Sequence, residues 1–260
     1  MGKRLNLPPA TVNAFRRALP RWYRRHRRQL PWRDIHDPYR TWVSEIMLQQ
    51  TRVETVRDYY RRWMEKFPTL ESLARAPYSR VLKMWEGLGY YSRAKNLHRA
   101  AQQMNGHVPG TVDALRQLPG IGRYTAGAIA SIAFDQRAPL VDGNVARVFA
   151  RVFGLTGNVK LPGTQGQLWA LAEELLPAKG CGDFNQAMME LGALVCAPVS
   201  PNCDACPLRQ VCVARAQNWQ DRLPNRGAPQ KTKQVGHDVL FVARAGKILL
   251  QRAEKEYLAK

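Results

Sequence analysis

Apolar residues recur along most of this chain at the three- and four-residue spacing of amphipathic helices. The pattern is clear at Trp42, Val43, Ile46 and Met47, and it returns around Trp85. Proline and glycine punctuate it at Phe67-Pro68, Ala76-Pro77, Asn105-Gly106 and Val108-Pro109-Gly110. Alternating β patterns are nearly absent before residue 222. The pattern predicts an all-α fold over residues 8–220, with helices of about ten to fifteen residues.

The pattern changes near residue 222. Residues 223–236 are polar and contain proline and glycine, which predicts a linker. After it, apolar residues 239–242 and 248–250 flank Ala245-Gly246, a pattern typical of a β-hairpin. Because an isolated hairpin is marginally stable in water, we expect it to pack on the helical body or to fray.

Charge narrows the classes of partner. The chain has 260 residues, 45% of them hydrophobic, and a net charge of +20. The first 33 residues hold ten arginines and lysines and no acid, interspersed with Trp22, Tyr23 and Trp32. A membrane-surface helix is the alternative, but interleaved arginines and aromatic rings favour nucleic acid. The chain lacks a signal peptide and any stretch of roughly 20 apolar residues, so we expect a cytosolic protein.

Four of the five cysteines lie within seventeen residues of each other. The spacing is C-x6-C-x2-C-x5-C, formed by Cys196, Cys203, Cys206 and Cys212. In a reducing cytosol, clustered cysteines are better interpreted as metal ligands than as disulfides. Four thiolates suit a 4Fe–4S cluster or a structural zinc. Cys181 is interpreted as a small buried hydrophobic residue.

A glycine-rich turn precedes a helix of small residues. Residues 118–125 read LPGIGRYT, in which Gly120 and Gly122 allow a tight turn whose amide groups point outward at the helix start. Such a turn binds a phosphate without reading sequence. The same spacing also occurs in ordinary tight turns.

Two carboxylates stand out. Glu45 lies on an otherwise apolar helix face, so it is either paired with a buried arginine or held at a raised pKa. Asp142 follows two apolar residues, which is typical of an ordinary N-cap. A protonated Glu and an ionised Asp are together the two groups that hydrolysis of a glycosidic bond uses.

Several separated motifs resemble those of one enzyme family. The LPGIG turn, Asp142 and the cysteine spacing resemble the endonuclease III superfamily of DNA glycosylases. Residues 42–51 (WVSEIMLQQT), 87–97 (GLGYYSRAKNL) and 141–145 (VDGNV) resemble its MutY branch, the adenine glycosylases. The resemblance covers about residues 10–222. It implies a two-lobed helix–hairpin–helix fold, with an iron–sulfur domain from residues 1–36 and 146–222 and a helical barrel domain from residues 37–145.

The resemblance also implies roles. Glu45 would protonate adenine N7 and Asp142 would stabilise the cationic sugar, with Tyr124 and Asn144 orienting them. Contacts to DNA would come from Gly120, Gly122, Gln50, Tyr90, Trp32, Arg33 and Leu48. Of these, Gln50 and Tyr90 would wedge into the duplex, and Trp32, Arg33 and Leu48 would line the pocket and the DNA face. Cys196, Cys203, Cys206 and Cys212 would hold a 4Fe–4S cluster, which the spacing favours over zinc.

Tyr124 distinguishes the branches of this superfamily. The strand-cleaving branch carries lysine at this position and forms a Schiff base, which tyrosine cannot do. We therefore expect a monofunctional enzyme that removes adenine opposite 8-oxoguanine or guanine, acting on duplex DNA as a monomer at the nucleoid of a bacterial cytoplasm. A thymine or uracil mismatch glycosylase is the second hypothesis. A non-catalytic iron–sulfur DNA-binding protein is the third.

The C-terminal residues carry one further expectation. Full-length relatives in the resembled branch have a C-terminal domain similar to the MutT hydrolase, and residues 237–260 resemble its first hairpin. We expect the rest of that domain to be missing and the preference for 8-oxoguanine over guanine to be weaker.

Overall fold

The structure, a computed structural model, describes residues 7–228 and the strand residues 243–244 and 247–248. Its helices are α1 Pro9–Asn13, α2 Leu19–His26, α3 Pro38–Leu48, α4 Val53–Lys66, α5 Leu70–Ala74, α6 Tyr78–Trp85, α7 Ser92–Gln103, α8 Val112–Arg116, α9 Arg123–Phe134, α10 Gly143–Phe153, α11 Pro162–Leu175, α12 Cys181–Leu194 and α13 Val213–Ala216. A π-helical turn joins α1 to α2, and a 3-10 turn, Arg209–Val211, precedes α13. The predicted all-α fold is confirmed.

Two short strands lie at the predicted C-terminal turn. β1, Ala243–Arg244, pairs antiparallel with β2, Lys247–Ile248. The apolar residues 239–242, which the sequence assigned to the first strand, lie outside the described residues. Among the described helices, none has the length and apolar character that crossing a bilayer requires.

Local sequence sets the ends of the helices that carry the candidate site. Asp37 caps α3 by accepting a hydrogen bond from the Arg40 amide at 3.0 Å, and Pro38 occupies the first helical position. Proline is tolerated there because its missing N–H would be unpaired in any case. Asp142 caps α10, which ends at Gly154 in a left-handed conformation with φ +64°. These short-range preferences fix where Glu45 and Asp142 enter the fold.

One hydrophobic cluster is built on tryptophans. Trp42, Trp63 and Trp85 are fully buried, and the Trp63 ring packs edge-on against Trp85 with 5.6 Å between ring centroids. The Phe67 ring also packs on Trp63, with 5.0 Å between ring centroids. The Trp63 Nε1 donates to the Tyr39 hydroxyl at 3.2 Å. The buried members of this cluster fall between residues 32 and 138. Helices α3 to α9 therefore share one core.

A second cluster joins the N-terminal helices to the later ones. Phe15, Tyr23, Phe149 and Phe184 are its largest fully buried side chains. Helix α9 contributes to both clusters, since Ile129 packs in the first and Ala128 in the second. A helix buried on opposite faces must be apolar on both, which explains its small-residue composition.

The two clusters draw on discontinuous parts of the chain, as the predicted domains do. Leu140 and Val145, assigned from sequence to the 37–145 domain, pack in the second cluster. Leu223 is buried and its carbonyl accepts from Arg151, so the first residue of the predicted linker packs on the helical unit. The compact helical unit extends to Arg226. The predicted domain bounds remain a prediction.

Replacing Trp63 with alanine is expected to lower the free energy of unfolding by about 3–5 kcal/mol, because it empties the centre of the tryptophan cluster. Urea denaturation followed by circular dichroism measures the change. The control is Val199→Ala, at a position 79% exposed, for which we expect a change within about 0.5 kcal/mol. Equal effects of the two substitutions would contradict this packing.

Candidate active site

Seven of the fifteen site residues predicted from sequence line one cavity. It has a volume of about 250 Å³, and its walls come from α3, α9, α12, the start of α10 and the segment before α3. Seven predicted residues line it: Trp32, Arg33, Glu45, Leu48, Tyr124, Asp142 and Asn144. Residues nearly a hundred positions apart thus meet at one concave surface.

Glu45 is buried in the cavity wall, with 6% of its surface exposed. Its Oε2 accepts a hydrogen bond from the Tyr124 hydroxyl at 2.8 Å. Burial is the main cause that raises the pKa of Glu45 to about 7; the charge of Asp142 raises it further, while Tyr124 and Arg33 oppose the shift. A carboxyl group with this pKa is half protonated near neutral pH and can donate a proton.

Tyr124 stands on the first turn of α9, directly after the glycine-rich turn. Burial and the neighbouring carboxylates of Glu45 and Asp142 raise its pKa well above the ordinary value of 10. The hydroxyl therefore keeps its proton and acts as a donor toward Glu45. Its oxygen also lies 3.2 Å from the Met189 Sδ.

Asp142 is both an N-cap and a wall of the cavity. Its Oδ1 accepts from the Val145 amide at 2.7 Å, and its Oδ2 accepts from the Asn144 side chain at 2.9 Å. Burial raises the pKa of this carboxyl above its ordinary range, although the hydrogen bonds oppose the shift. The ordinary capping role considered from sequence is thus real, and it holds the carboxylate in place beside Glu45.

A chain of hydrogen bonds joins Asp142 to the cysteine segment. The Asn144 side-chain oxygen accepts from Arg147 Nη2 at 2.8 Å, and the same nitrogen donates to the Gly192 carbonyl at 2.7 Å. The Arg147 Nε donates to the Cys196 carbonyl at 2.7 Å. The orientation of Asn144, and through it of Asp142, therefore depends on where the backbone at Cys196 lies.

Sequence reasoning missed an ion-pair cluster in the same cavity. Glu190 is 2% exposed and accepts three hydrogen bonds from Arg28 and two from Arg33, all between 2.7 and 3.2 Å. Burial alone would raise the pKa of Glu190, but these arginines bring it down to about 2. The clue was available: Glu190 follows two methionines on a helix interpreted only as packing, the setting that drew attention to Glu45.

Two polar atoms in the cavity wall have no hydrogen-bond partner among the described residues. They are Arg33 Nε and Thr41 Oγ1, both buried. A buried donor without a partner is costly, and such atoms are satisfied when a polar ligand or water enters. Arg33 and Trp32, which is 9% exposed, both line this cavity. Their contacts to DNA remain a prediction.

The glycine-rich turn connects α8 to α9 as a helix–hairpin–helix. Gly120 adopts φ +77°, and a Cβ there would lie 2.8 Å from the Asn96 Cβ, so glycine alone fits without strain. Gly122 is the N-cap of α9 and supplies no side-chain cap. The first amide groups of α9 are therefore free of a side-chain cap, which suits a phosphate oxygen.

The two predicted wedge residues lie outside the cavity, on the surface. Tyr90 is 59% exposed and Gln50 is also exposed. Both adopt left-handed backbone conformations, with φ +47° at Tyr90 and +57° at Gln50. This conformation is uncommon for residues with a side chain and marks both positions as structurally special.

The four clustered cysteines line a second cavity together with Arg151. The Arg151 Nη1 lies 3.4 Å from the Cys196 Sγ, and its other donors go to backbone carbonyls of the neighbouring loops. Burial raises the pKa of Cys206 to about 12, and the other three cysteines contribute. Among the described residues, no three potential ligands converge tightly enough for a single metal ion. The donor set nonetheless fits a multinuclear thiolate-bound centre, because four thiols border one space beside a buried cation.

The sequence matches a known family. Residues 43–174, just over half of the chain, match the family described as HhH-GPD superfamily base excision DNA repair protein. Proteins named adenine DNA glycosylase are similar as well. The rat protein is 50% identical over 82% of this chain and 44% of its own length, the human protein 49% over 84% and 42%, and a Buchnera aphidicola protein 39% over 80% and 62%. The chain thus spans about half the length of these curated relatives.

Solved structures share the fold. A thermostable thymine-DNA glycosylase is 32% identical, with a TM-score of 0.73 over 80% of this chain and 98% of its own. The protein in an endonuclease III–DNA complex is 23% identical, with a TM-score of 0.65 over 80% of this chain and 98% of its own. The predicted helix–hairpin–helix glycosylase fold is confirmed by these matches.

We expect the stability of the protein to depend on pH through Glu45. Its pKa is about 7 in the folded protein against an ordinary 4.5, so the folded state binds a proton that the unfolded state releases between those pH values. The free energy of unfolding therefore falls as pH rises through this range. Glu45→Gln removes that loss, and its stability relative to the wild type should rise by on the order of 3 kcal/mol between pH 4.5 and pH 8.

Denaturant unfolding of both proteins at the two pH values measures this change. The matched control is Glu65→Gln on the exposed part of α4, whose difference from the wild type should stay constant. A constant difference for Glu45→Gln as well would show that the pKa of this carboxyl group is the same in the folded and the unfolded protein.

Proposed function

Because this chain belongs to the HhH-GPD superfamily of base excision DNA repair proteins, we propose that it is a monofunctional DNA glycosylase that removes mispaired adenine. The observation that carries the proposal is the buried Glu45, hydrogen-bonded to Tyr124 and held beside Asp142 in one cavity. At about 250 Å³ the cavity is smaller than the roughly 300–1,000 Å³ of sites for drug-sized ligands and suits a single everted base.

The carboxyl groups of Glu45 and Asp142 have different roles in the proposed reaction. Adenine is a poor leaving group until a ring nitrogen is protonated, and Glu45 supplies that proton from its neutral form. Departure of the base leaves positive charge on the sugar, which the Asp142 carboxylate stabilises. Glu45, ionised after the transfer, then accepts a proton from the attacking water. The Tyr124 hydroxyl donates to Glu45 and steadies the ionised form during this cycle.

Tyr124 supports release of the base without strand cleavage. Strand cleavage by glycosylases of this kind needs an amine that forms a Schiff base with the sugar. At this position the chain places a phenol whose proton is held firmly. The product is therefore an abasic site in an intact strand.

Adenine opposite 8-oxoguanine or guanine is the proposed target. Support comes from the relatives named adenine DNA glycosylase, at 38–50% identity over most of this chain. The net charge of +20 and the uncapped start of α9 suit duplex DNA. We infer that the protein acts as a monomer at the nucleoid of a bacterial cytoplasm.

Removal of thymine or uracil from a mismatch is the second candidate. It is favoured by the similarity to a thermostable thymine-DNA glycosylase, at 32% identity and a TM-score of 0.73. The cavity residues Glu45, Tyr124 and Asp142 serve either base, since both reactions break the same kind of bond. Identity of the released base therefore decides between the two.

We further propose that Cys196, Cys203, Cys206 and Cys212 hold a 4Fe–4S cluster. Support comes from their spacing, their common cavity and the buried Arg151 beside Cys196. Such a cluster supplies a rigid, negatively charged crosslink among the loops that carry the cysteines. Through Arg147 the backbone at Cys196 also orients Asn144, so the cysteine loop supports the catalytic carboxylate. A structural zinc is the alternative occupant.

Single-turnover assays on four duplexes test the proposed reaction. They carry adenine opposite 8-oxoguanine, adenine opposite guanine, thymine opposite guanine, and uracil opposite guanine. We expect release of adenine, with strand cutting only after alkali. Glu45→Gln should slow release at least a thousand-fold while duplex affinity stays within about three-fold, because one proton donor is lost and the DNA contacts remain.

The exposed Glu65→Gln variant is the control and should retain the wild-type rate. Release of thymine or uracil in place of adenine would support the second candidate. Strand cutting without alkali would refute the monofunctional assignment. Binding without release of any base would favour a non-catalytic DNA-binding protein.

Metal analysis tests the cluster. We expect about four irons and four acid-labile sulfides per chain, with the visible absorption of an iron–sulfur centre. Cys206→Ser should lose both iron and colour, whereas Cys181→Ser, outside the cysteine cavity, should keep them. Stoichiometric zinc in the purified wild-type protein would overturn this assignment.

A further inference from the structure

Arg93 is a buried arginine that interacts with backbone rather than with an acid. It lies near the start of α7 and is 8% exposed. Its Nη1 and Nη2 donate to five backbone carbonyls and to the Thr51 hydroxyl. None of the described carboxylates pairs with it. Taking a cation out of water without a countercharge is costly, so this arrangement points to a specific role for Arg93.

One half of the contacts holds the end of α3. The Nη1 group donates to the carbonyls of Ile46 at 3.1 Å and Met47 at 3.0 Å, and also to that of Gln49. The last carbonyls of a helix have no partner within it, and a cation placed there satisfies them. The peptide unit entering Gln50 is thereby fixed.

The other half holds the turn that precedes α7. The Nη2 group donates to the Leu88 carbonyl at 3.0 Å and the Gly89 carbonyl at 3.2 Å. The peptide unit entering Tyr90 is thereby fixed as well. A single guanidinium joins residues 46–49 to residues 88–89, and each segment continues into a residue with a left-handed backbone.

Arg93 also contacts the Tyr90 side chain. Its guanidinium carbon lies 5.5 Å from the centre of the Tyr90 ring and 5.3 Å from that of the Trp85 ring. Tyr90 is 59% exposed, so the contact leaves most of the ring facing solvent while limiting its orientation. An exposed aromatic ring that is held in one orientation is suited to stacking against a base.

We propose that Arg93 is a positioning residue that holds Gln50 and Tyr90 together as a preformed wedge for entry into the DNA duplex. This inference rests on the proposed function, because a wedge serves an enzyme that must evert its target base. A wedge assembled before binding avoids ordering two loops on the DNA. Arg93 acts through its two neighbours and touches neither the cavity nor the base.

Base eversion is the quantity to measure. The probe is a duplex with fluorescent 2-aminopurine immediately next to the target base, mixed with the full chain in a stopped-flow instrument. Arg93→Lys keeps the positive charge, but lysine has a single terminal nitrogen, whereas arginine has a planar guanidinium that directs several donors at once. We expect it to slow the fluorescence rise and single-turnover base release at least ten-fold, with duplex affinity within three-fold. Arg99→Lys, exposed on the same helix, is the matched control and should match the wild type.

A double-mutant comparison separates positioning from general stability. In a Gln50→Ala, Tyr90→Ala background the wedge is already absent, so adding Arg93→Lys should slow eversion less than two-fold further. A further ten-fold loss in that background would overturn the proposal. So would unaltered eversion in Arg93→Lys, or failure of both Arg93→Lys and Arg93→Gln to fold, since Arg93 would then serve the fold alone. A wild-type chain that neither everts nor releases any base would instead refute the proposed function.

Discussion

The rest of the site depends on the burial of one carboxyl group. Glu45 is buried, which raises its pKa to about 7, and it accepts a hydrogen bond from Tyr124. Three helices must converge for this to happen: α3 carries the acid, α9 carries its donor, and the start of α10 carries Asp142. The two hydrophobic clusters serve that convergence, because α9 is packed into both of them. A change that lets water reach Glu45 would therefore alter the chemistry of the cavity before it altered the fold.

The pKa values of two glutamates in the same cavity are shifted in opposite directions. Glu45 and Glu190 are both buried, and burial alone raises the pKa of each. Arg28 and Arg33 donate hydrogen bonds to Glu190 and lower its pKa to about 2, so this carboxyl group is ionised. Glu45 accepts a hydrogen bond from the neutral Tyr124 instead, and its pKa is raised to about 7. Within one cavity, one glutamate thus carries a fixed negative charge and the other can donate a proton. The neighbouring side chains determine which glutamate does which. Both arginines are paired with Glu190, and Arg33 only partly opposes the raised pKa of Glu45.

Buried arginines hold the loops of this protein in place. Arg93, Arg147 and Arg151 donate mainly to backbone carbonyls at the ends of helices and in turns. Each joins segments that are distant in sequence: the end of α3 with the turn before α7, Asn144 with the Cys196 backbone, and the cysteine loop with residues 220–223. A guanidinium suits this work because its planar fork directs several donors at once. These buried arginines are part of the net charge of +20 but lie inside the fold. Only the remaining, exposed cations can contact DNA.

The sequence by itself determined what depends on neighbouring residues in the chain. Helical periodicity, the capping residue Asp142 and the glycine turn at Gly120 act over a few residues, so the pattern predicted them. The spacing of the cysteines and the odd position of Glu45 on an apolar face were visible for the same reason. Only the tertiary structure decided which charges meet. It paired Glu190 with Arg28 and Arg33, and through Arg93 it joined the turn before α7 to the end of α3. Such contacts bridge residues tens to more than a hundred positions apart, and no local preference records them because they form only when the helices pack.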